Sequence, residues 1–589
     1  SDGTETGTVM VKNIDPGPSS SSPDHFVNVN GSLFFSANDH INGEEFWKSD
    51  GTDLGTVMVK DINAGTKDSG PGYNFTNLNN TLFLAAADDI SGRELWKSDG
   101  TETGTVLVKD IKTGTSSSVP SELTIVNNTI FFRADDGING AELWKSDGTT
   151  SGTLLVKNIN TINGDGSIPK DLTNINGTLF FSADDGISGS ELWKSDGSTS
   201  GTLMIKDIFP GSGGSNLNLL INNSGTLFFT ADDGISGSEL WESDGTTGGT
   251  VMVKNIHSGA TGSNIFNLTI VNGILFFTAD DGTNGTELWR SDGTESGTFM
   301  VKDINIGSVG STPSILTNVN ETLFFSAFDG TNGRELWKSD GTDAGTEMVK
   351  DIFSGLGSSN PNNFTNVNGT LYFSATFPSL GNELWKSDGT TVGTVLVKDI
   401  FPGRFGSNLK SLTSIENKLI FQANDGVNGD EIWVSDGTEQ GTKLFQDETI
   451  PGGSNPSQFI QIGDKIFAAL TTNEFGQEVW VAATNIVLPL SLLEFTGKLV
   501  QNDVQLYWKT GNEINTSHFE LQRSDDGQAF SSIGTVQPGR TNYAYTDLNV
   551  FTTKSIVFYR LKSVDIDGKF TLSSIIRLSG QQLLTMIVF

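Results

Sequence analysis

A tryptophan-centred motif returns at an almost constant spacing along this chain. One copy is Glu191-Leu-Trp-Lys-Ser-Asp-Gly197, followed by the segment 201–208. A fixed period of this length is typical of repeat architectures, so the repeat has to be interpreted before any local motif. Consecutive tryptophans of the motif lie 47 to 49 residues apart, and the ten are Trp47, Trp96, Trp144, Trp193, Trp241, Trp289, Trp337, Trp385, Trp433 and Trp480.

Each repeat carries signals for four short antiparallel strands. In residues 171–208, Asn176-Gly177 marks a tight hairpin, and the strand that follows, Thr178–Ala183, is apolar on both faces. So small a sheet cannot bury two apolar faces alone and has to stack on its neighbours. Radial stacking of four-stranded sheets makes a β-propeller. We therefore predict an all-β propeller; an open β-solenoid is the alternative, and it fits the hairpin turns poorly.

The two ends of the repeat array complement each other. Residues 1–14 supply only a fourth strand and its turn, whereas the tenth unit ends after its third strand. We predict that Thr8–Ile14 pairs beside Gln477–Val481 and closes one ten-bladed propeller within residues 1–486. Known propellers usually have four to eight blades, so two smaller rings remain the alternative.

The composition changes after Asn485, which predicts a second domain at residues 487–589. Seven short strand signals in this segment favour an immunoglobulin-like or fibronectin-III-like β-sandwich. Trp508 and Tyr559 are the expected core aromatics. The predicted strands are Phe495–Leu499, Val504–Trp508, Phe519–Arg523, Phe530–Val536, Tyr543–Thr546, Ile556–Val564 and Phe570–Leu578.

Both segments resemble known bacterial families. The recurring Glu-Leu-Trp-Lys-Ser-Asp-Gly-Thr-x-x-Gly-Thr pattern resembles the ELWxxDGTxxGT repeats of bacterial secreted and surface proteins. The segment 488–580 is similar to the fibronectin-III-like module found near the C-termini of Bacteroidota proteins, and its carriers are Leu488–Phe495, Trp508–Asn515, Phe519–Ser524 and Tyr559–Gly568. That module usually precedes a type IX secretion sorting domain, which would be expected to open at Met586–Phe589. The resemblance implies the type IX machinery as a partner and an extracellular or outer-surface location.

Charge and composition exclude several classes of function. There are 36 Lys+Arg against 70 Asp+Glu, a formal net charge of −34, which argues against partners such as nucleic acid or anionic membranes. No apolar run is long enough for a membrane-spanning helix. Cysteine is absent, which excludes disulfides, cysteine-ligated zinc and thiol chemistry.

Paired aspartates invite a calcium hypothesis, because carboxylate and loop carbonyl oxygens suit that ion. The alternative, which we favour, is that Asp-Gly serves turn geometry. No spaced ladder of aspartate ligands occurs, so we predict no cofactor, with calcium as the alternative. The pairs are Asp88/Asp89, Asp135/Asp136, Asp184/Asp185, Asp232/Asp233 and Asp280/Asp281.

Catalysis finds little support, and we predict no catalytic, cofactor-binding or metal-ligating residue. The Ser-Asp-Gly-Thr turns at Ser146–Thr149 and Ser243–Thr246 resemble the structural Asp-box turns of sialidase-type propellers. Neither histidines nor arginines show the spacing of a catalytic or metal cluster. The residues concerned are His25, His40, His257, His518, Arg93, Arg133, Arg290 and Arg334.

These observations predict a secreted or cell-surface, non-catalytic interaction protein: an adhesin, matrix or appendage component that binds glycan or protein. The most variable loops, Thr161–Lys170, Lys67–Asn74 and Phe401–Lys410, are the expected specificity loops. One alternative is a self-assembling structural subunit of an extracellular filament or layer, and another is a polysaccharide-active enzyme.

Overall fold

The computed structural model describes residues 8–71, 75–162, 164–446, 453–483, 491–511, 516–565 and 570–579. The chain divides into two compact units, one formed by 5–437 with 444–484 and the other containing 438–443 and 485–589. The predicted domain boundary at residue 486 lies outside the described residues. Within the described ranges, no helix is long and apolar enough to cross a membrane.

The first unit consists of ten four-stranded antiparallel sheets, numbered here sheets 1 to 10. Their first strands are β2 (Asp24–Val29), β6 (Thr76–Leu78), β10 (Ser121–Val126), β14 (Lys170–Ile175), β18 (Asn218–Asn223), β22 (Phe266–Val271), β26 (Ser314–Val319), β30 (Asn362–Val367), β34 (Lys410–Ile415) and β38 (Ser457–Ile462). Their second strands are β3 (Ser32–Asn38), β7 (Thr81–Asp88), β11 (Thr129–Asp135), β15 (Thr178–Asp184), β19 (Thr226–Asp232), β23 (Ile274–Asp280), β27 (Thr322–Phe328), β31 (Thr370–Phe377), β35 (Lys418–Asn424) and β39 (Lys465–Thr472).

The third strands carry the tryptophan motif, and the fourth strands are short. The third strands are β4 (Glu44–Ser49), β8 (Gly92–Ser98), β12 (Ala141–Ser146), β16 (Ser190–Ser195), β20 (Ser238–Ser243), β24 (Thr286–Ser291), β28 (Arg334–Ser339), β32 (Gly381–Ser387), β36 (Asp430–Ser435) and β40 (Gly476–Ala483). The fourth strands are β5 (Val57–Lys60), β9 (Val106–Lys109), β13 (Leu154–Lys157), β17 (Leu203–Lys206), β21 (Val251–Lys254), β25 (Phe299–Lys302), β29 (Glu347–Lys350), β33 (Val395–Lys398), β37 (Lys443–Gln446) and, for sheet 10, β1 (Thr8–Met10).

Each sheet buries both of its faces against its neighbours. In sheet 4, Phe181 and Trp193 pack on the side of sheet 3, while Phe180 packs on the side of sheet 5. Alternation along a strand sends successive side chains to opposite faces, so a run such as Leu179–Phe181 contributes to two interfaces. The prediction of strands buried on both sides is confirmed.

The succession of sheets returns on itself. β1 pairs antiparallel with β40, with Thr8 opposite Ala482 and Met10 opposite Trp480. Sheet 10 packs on sheet 1 in one apolar cluster. The first strands of neighbouring sheets contact one another, including β38 with β2, where Gln458 Nε2 donates to Asp24 Oδ1 at 2.7 Å. The predicted pairing of the two ends is confirmed, and the architecture is consistent with a β-propeller-like repeat.

A buried glutamate in every third strand holds the connection that leads to the next sheet; we call this contact the glutamate clamp. Glu142 accepts hydrogen bonds from the backbone N–H of Ile159, Asn160 and Ser167 at 3.0 to 3.1 Å, and from Ser167 Oγ at 2.5 Å. The side chains of all ten clamp residues are fully buried: Glu45, Glu94, Glu142, Glu191, Glu239, Glu287, Glu335, Glu383, Glu431 and Glu478.

Lysines on the third and fourth strands form hydrogen bonds to backbone carbonyls of the next sheet. Lys194 Nζ donates to the Gly245 carbonyl at 2.7 Å, and Lys206 Nζ donates to the Thr250 carbonyl at 2.8 Å. Equivalents of Lys194 reach the next sheet in the same way, namely Lys48, Lys97, Lys145 and Lys338. Sheet 5 departs from this pattern, because Glu242 stands at the lysine position.

The second unit is built from two antiparallel sheets. One has the order β41 (Ser491–Val500), β42 (Asp503–Gly511), β45 (Asn542–Asp547); the other has β44 (Ser531–Val536), β43 (Thr516–Ser524), β46 (Ile556–Asp565), β47 (Phe570–Leu572), with β48 (Ile576–Ser579) also on β46. A 3-10 turn lies at Val550–Thr552. Trp508 and Tyr559 are buried in the core, as predicted. The single strand predicted at 570–578 is instead two strands.

The glutamate clamps predict a pH-dependent stability. Burial raises the pKa of Glu45, Glu191, Glu383 and Glu478 to about 7 from an ordinary value of 4.5, against the opposing effect of the donated hydrogen bonds. Between pH 4.5 and 7 the folded state therefore binds more protons than the unfolded state, so the free energy of unfolding falls as the pH rises through 7. Thermal unfolding should show a lower Tm at pH 8 than at pH 5.

The turn aspartates do not interfere in that range, because their pKa values lie below the ordinary value of 3.8, as at Asp147 and Asp196. The Glu191→Gln variant should be less stable at pH 8, since an amide cannot accept every hydrogen bond, and its Tm should depend less on pH. A Tm that rises from pH 5 to pH 8 would contradict this account of the clamps.

Sheet 5 offers a stabilising substitution. Burial and the charges of Asp244 and Asp292 raise the pKa of Glu242, which lies beside Gly293 of the next sheet. The Glu242→Lys change should restore the lysine–carbonyl bond seen for Lys194 and raise the free energy of unfolding by about 1 kcal/mol. Chemical denaturation measures this, with Glu242→Gln as a control that removes only the charge and should gain less. An unchanged or lower stability of Glu242→Lys would argue against the lysine contact.

Candidate functional site

A cleft of about 650 Å³ lies over sheet 3, within the range of small-molecule sites. Two inter-sheet connections flank it: 110–120, from sheet 2, and 158–169, toward sheet 4. We call it the Arg133 cleft, after the arginine on β11 that lines it. Its lining includes Lys112, Val119, Arg133, Asp135, Asp165 and Ile168.

Glycines bring the connection toward sheet 4 close to the rest of the cleft. Gly166 makes a parallel bridge with Ala141, and a Cβ on Gly140 would come within 2.4 Å of the Gly166 nitrogen. Gly140 and Gly166 both have positive φ, of 71° and 75°. The connection is also held by the glutamate clamp, because Ser167 Oγ donates to Glu142. The walls of the cleft are therefore fixed by the fold.

Arg133 differs from the two arginines that reach the equivalent place in other sheets. Arg334 Nη1 donates to the carbonyls of Thr312 and Ser326 at 2.9 and 3.2 Å, and Arg93 contacts the matching carbonyls in sheet 2. Arg133 Nε donates to Ser121 Oγ at 3.1 Å. Within the described part of the chain its two Nη atoms have no hydrogen-bond partner, so they are available on the lining of the cleft.

Two of the charged side chains on the cleft form an ion pair with each other, and two others do not, within the residues that the structure describes. Lys112 Nζ and Asp135 Oδ2 are 2.5 Å apart and neutralise each other. Asp165 lies on the exposed connection, and among the described residues its carboxylate makes no ion pair. The cleft thus presents one guanidinium and one carboxylate whose charges are not matched by the protein.

The paired aspartates act as turn residues. Asp281 Oδ1 accepts from the backbone N–H of Thr283 and Asn284 at 2.8 and 2.7 Å, and Asp280 Oδ1 accepts from that of Gly282. Burial opposes it, but the hydrogen bonds from Asn284 and from the Thr283 backbone lower the pKa of Asp281. Asp135 and Asp136 hold their loop in the same way. This geometry is the turn role favoured from the sequence.

The Ser-Asp-Gly-Thr turns are also self-contained. In the turn at residues 146–153, Ser146 and Thr153 share a hydrogen bond between their hydroxyls at 2.7 Å, and Asp147 Oδ1 accepts from the N–H and hydroxyl of Thr149. These contacts hold the third and fourth strands together. They give the turn a structural role.

The structure does not bring the four histidines together. His40 Nδ1 lies 2.9 Å from Asp15 Oδ2, His25 lies beside Asp24, His257 packs on Gly282, and His518 is in the second unit. Arg290 donates to the Gly341 carbonyl at 3.3 Å. None of these residues lines the Arg133 cleft.

The three predicted specificity loops have different surroundings. The loop at 161–170 contributes Asp165 and Ile168 to the cleft. In the second loop, Lys67 pairs with Asp89 at 2.6 Å, and residues 72–74 lie outside the described part. In the third, the rings of Phe401 and Phe405 are 5.6 Å apart.

Sequence reasoning missed two sets of residues. The clamp glutamates stand directly before the buried Leu-Trp pair in most repeats, and this recurrence of an acid among apolar residues was the available signal. Arg133 was grouped with scattered arginines. Its signal is its position in the second strand, where the other sheets have Ser36, Ala85, Ser182, Thr230, Thr278, Ser326, Ser374, Gln422 and Ala469.

No family model and no curated protein matches this chain. Among solved structures, a prolyl endopeptidase is similar at 11% identity over 68% of this chain and 55% of its own, with a TM-score of 0.30. A puromycin-hydrolyzing peptidase of Mycobacterium tuberculosis has 9% identity over 71% and 60%, with a TM-score of 0.29. Saccharomyces cerevisiae Sqt1 has 11% identity over 71% and 97%, with a TM-score of 0.26. The chain thus spans little more than half the length of the two peptidases.

The comparisons correct the functional prediction. Several of the similar solved structures are prolyl oligopeptidases, whose propeller is associated with a peptidase, and this contradicts the predicted function of a non-catalytic interaction protein that binds glycan or protein. That prediction and its alternatives, the self-assembling subunit and the polysaccharide-active enzyme, are not carried further. The likeness is too weak to assign a peptidase activity here, and the expectation that the chain is not an enzyme stays a prediction.

Proposed function

We propose that the first unit is a single closed ten-bladed β-propeller that binds a small carboxylate-bearing ligand in the Arg133 cleft. The observation that carries this proposal is the pair of unpartnered Nη atoms of Arg133. A guanidinium presents its donors in a planar fork that matches a carboxylate, and such bidentate pairs are among the stronger hydrogen-bonded contacts in proteins.

The rest of the cleft supports a small ligand. Its volume of about 650 Å³ suits a molecule of a few tens of atoms. Lys112 is already neutralised by Asp135, so the uncompensated positive charge is that of Arg133. Ala141 begins the third strand here, where sheets 2 and 7 have Arg93 and Arg334, and its small side chain leaves room above the sheet.

The Arg133→Ser variant tests this proposal, with isothermal titration calorimetry of N-acetyl-leucine as the probe. Wild-type protein should bind N-acetyl-leucine and not its amide, N-acetyl-leucinamide. The variant should lose at least about tenfold in affinity, because a charge-assisted bidentate contact is removed. Serine already stands at this position in sheets 1, 4, 7 and 8, so the fold should tolerate it.

Arg334→Ser is the matched control, because that guanidinium binds backbone carbonyls outside the cleft. It should leave the affinity for N-acetyl-leucine unchanged. Absence of binding to the wild type, or equal affinity of wild type and Arg133→Ser, would overturn the proposed function.

Export remains a separate prediction. The resemblance to Bacteroidota repeat proteins and their fibronectin-III-like modules supports transport by the type IX machinery to the cell surface or beyond. Fractionation of the native cells tests it: we expect the protein at the outer surface or in the medium, and loss of that location when the type IX system is inactivated. Retention inside the cell would contradict the resemblance-based location.

A further inference from the structure

Two aliphatic side chains on the lining of the Arg133 cleft stand on unfavourable backbone. Val119 and Ile168 have φ of 49° and 47°, in the left-handed region. A β-branched residue is a genuine outlier there, because its branched Cβ crowds the backbone. Both side chains are about half exposed, at 54% and 48%. Neither left-handed strain nor exposure favours a valine or isoleucine at these positions.

The same backbone position recurs in the other connections, and in all of them but one, which has the β-branched Thr312, the residue suits a positive φ better. It follows the serine of each glutamate clamp, and asparagine, which tolerates the left-handed region, is the commonest occupant. Proline follows this position in five of the other connections, as it does after Val119 and Ile168, so the local sequence does not require an aliphatic residue. The other occupants at positive φ are Ser22, Gly70, Asn216, Asn264, Thr312, Asn360, Asn408 and Asn455.

The two aliphatic occupants lie on the two connections that flank one cleft. Val119 precedes sheet 3 and Ile168 follows it, and both line the cavity that also contains Arg133 and Asp165. Strained residues that persist in one place often serve a function that offsets their cost. Here their exposed aliphatic surface faces the same cavity as an unpartnered guanidinium and an unpaired carboxylate.

We infer that the ligand of the Arg133 cleft is a short peptide that ends in an aliphatic residue. Its terminal carboxylate binds Arg133, its aliphatic side chain packs against Val119 and Ile168, and its terminal ammonium lies near Asp165. This inference rests on the proposed function for the carboxylate contact and adds the other two. The cleft thus offers a counterpart for each chemical group of such a peptide.

The experiment compares three peptides by isothermal titration calorimetry on the full chain. The dipeptide Gly-Leu should bind at least about tenfold more tightly than Gly-Gly, since leucine buries apolar surface on the two aliphatic side chains. N-acetyl-Gly-Leu, which lacks the ammonium, should bind several-fold more weakly than Gly-Leu. In Asp165→Asn that difference should disappear, whereas Asp464→Asn, on an exposed hairpin, should preserve it.

The double variant Val119→Asn/Ile168→Asn separates the role in binding from one in stability. It should remove the preference for Gly-Leu over Gly-Gly and at the same time raise the Tm, because asparagine relieves the left-handed strain. The reverse change at an equivalent position away from the cleft, Asn264→Val, should lower the Tm and leave binding unchanged.

The outcomes distinguish this inference from the proposed function. If N-acetyl-leucine does not bind to the wild type, the proposed function fails and the inference fails with it. If N-acetyl-leucine binds through Arg133 but Gly-Leu binds no better than Gly-Gly, only the peptide inference is overturned. A double variant that keeps the preference for leucine would also overturn it.

Discussion

The stacked sheets of the first unit depend on a buried carboxylate that holds the backbone of each inter-sheet connection. Such a connection is irregular, and its backbone N–H groups would be buried without partners if no acceptor reached them, at a cost of about 1–3 kcal/mol for each group. Glu142 supplies two oxygens to three backbone N–H groups and one hydroxyl. Glu478 accepts from the backbone N–H of Ile14 and Asp15 and from the hydroxyl of Ser21, so the junction between the two ends is held by a clamp of the same kind.

The clamp fixes the backbone of each connection. The residues that lie beside the connection and do not take part in the clamp can therefore differ from sheet to sheet. The place filled by Arg334 in sheet 7 is filled in sheet 9 by Asp430, which accepts from the side-chain amides of Asn408, Gln422 and Asn424. In sheet 3 the same place holds the Arg133 guanidinium and the open volume of the cleft. One frame therefore supports three different polar arrangements without a change in the strands, which is how a repeat can carry a site in a single unit.

The parts of the fold that depend on local chemistry were predictable from the sequence. Asn176 and Gly177 have φ of 49° and 84°, as a tight hairpin turn requires, and the incomplete units at the two ends implied their pairing. The break between β47 and β48 was not predictable, because it arises when Ser573 leaves the strand and exchanges two hydrogen bonds with the backbone of Leu561. Such a contact depends on tertiary position.

The candidate site was harder to predict for a similar reason. The loop at 161–170 could be selected because it departs from the repeat, but Arg133 becomes notable only when the register shows that its counterparts are mostly small. The predicted function was wrong because the repeat period and the composition describe how the sheets pack on one another. They do not show which single repeat differs from the others and could carry a site. Those features are shared by every repeat, whereas a binding site belongs to one.

The clamp also explains how the strain beside the cleft is sustained. Ser118 and Ser167 are held by Glu94 and Glu142, and the residue after each clamp serine has a positive φ in every connection, whatever its side chain. The conformation is therefore a property of the repeat, and only its cost depends on the residue that adopts it. Asparagine adopts the left-handed region with little strain, whereas valine and isoleucine are strained there. The presence of both around one cavity therefore indicates that their exposed aliphatic surface contacts a ligand.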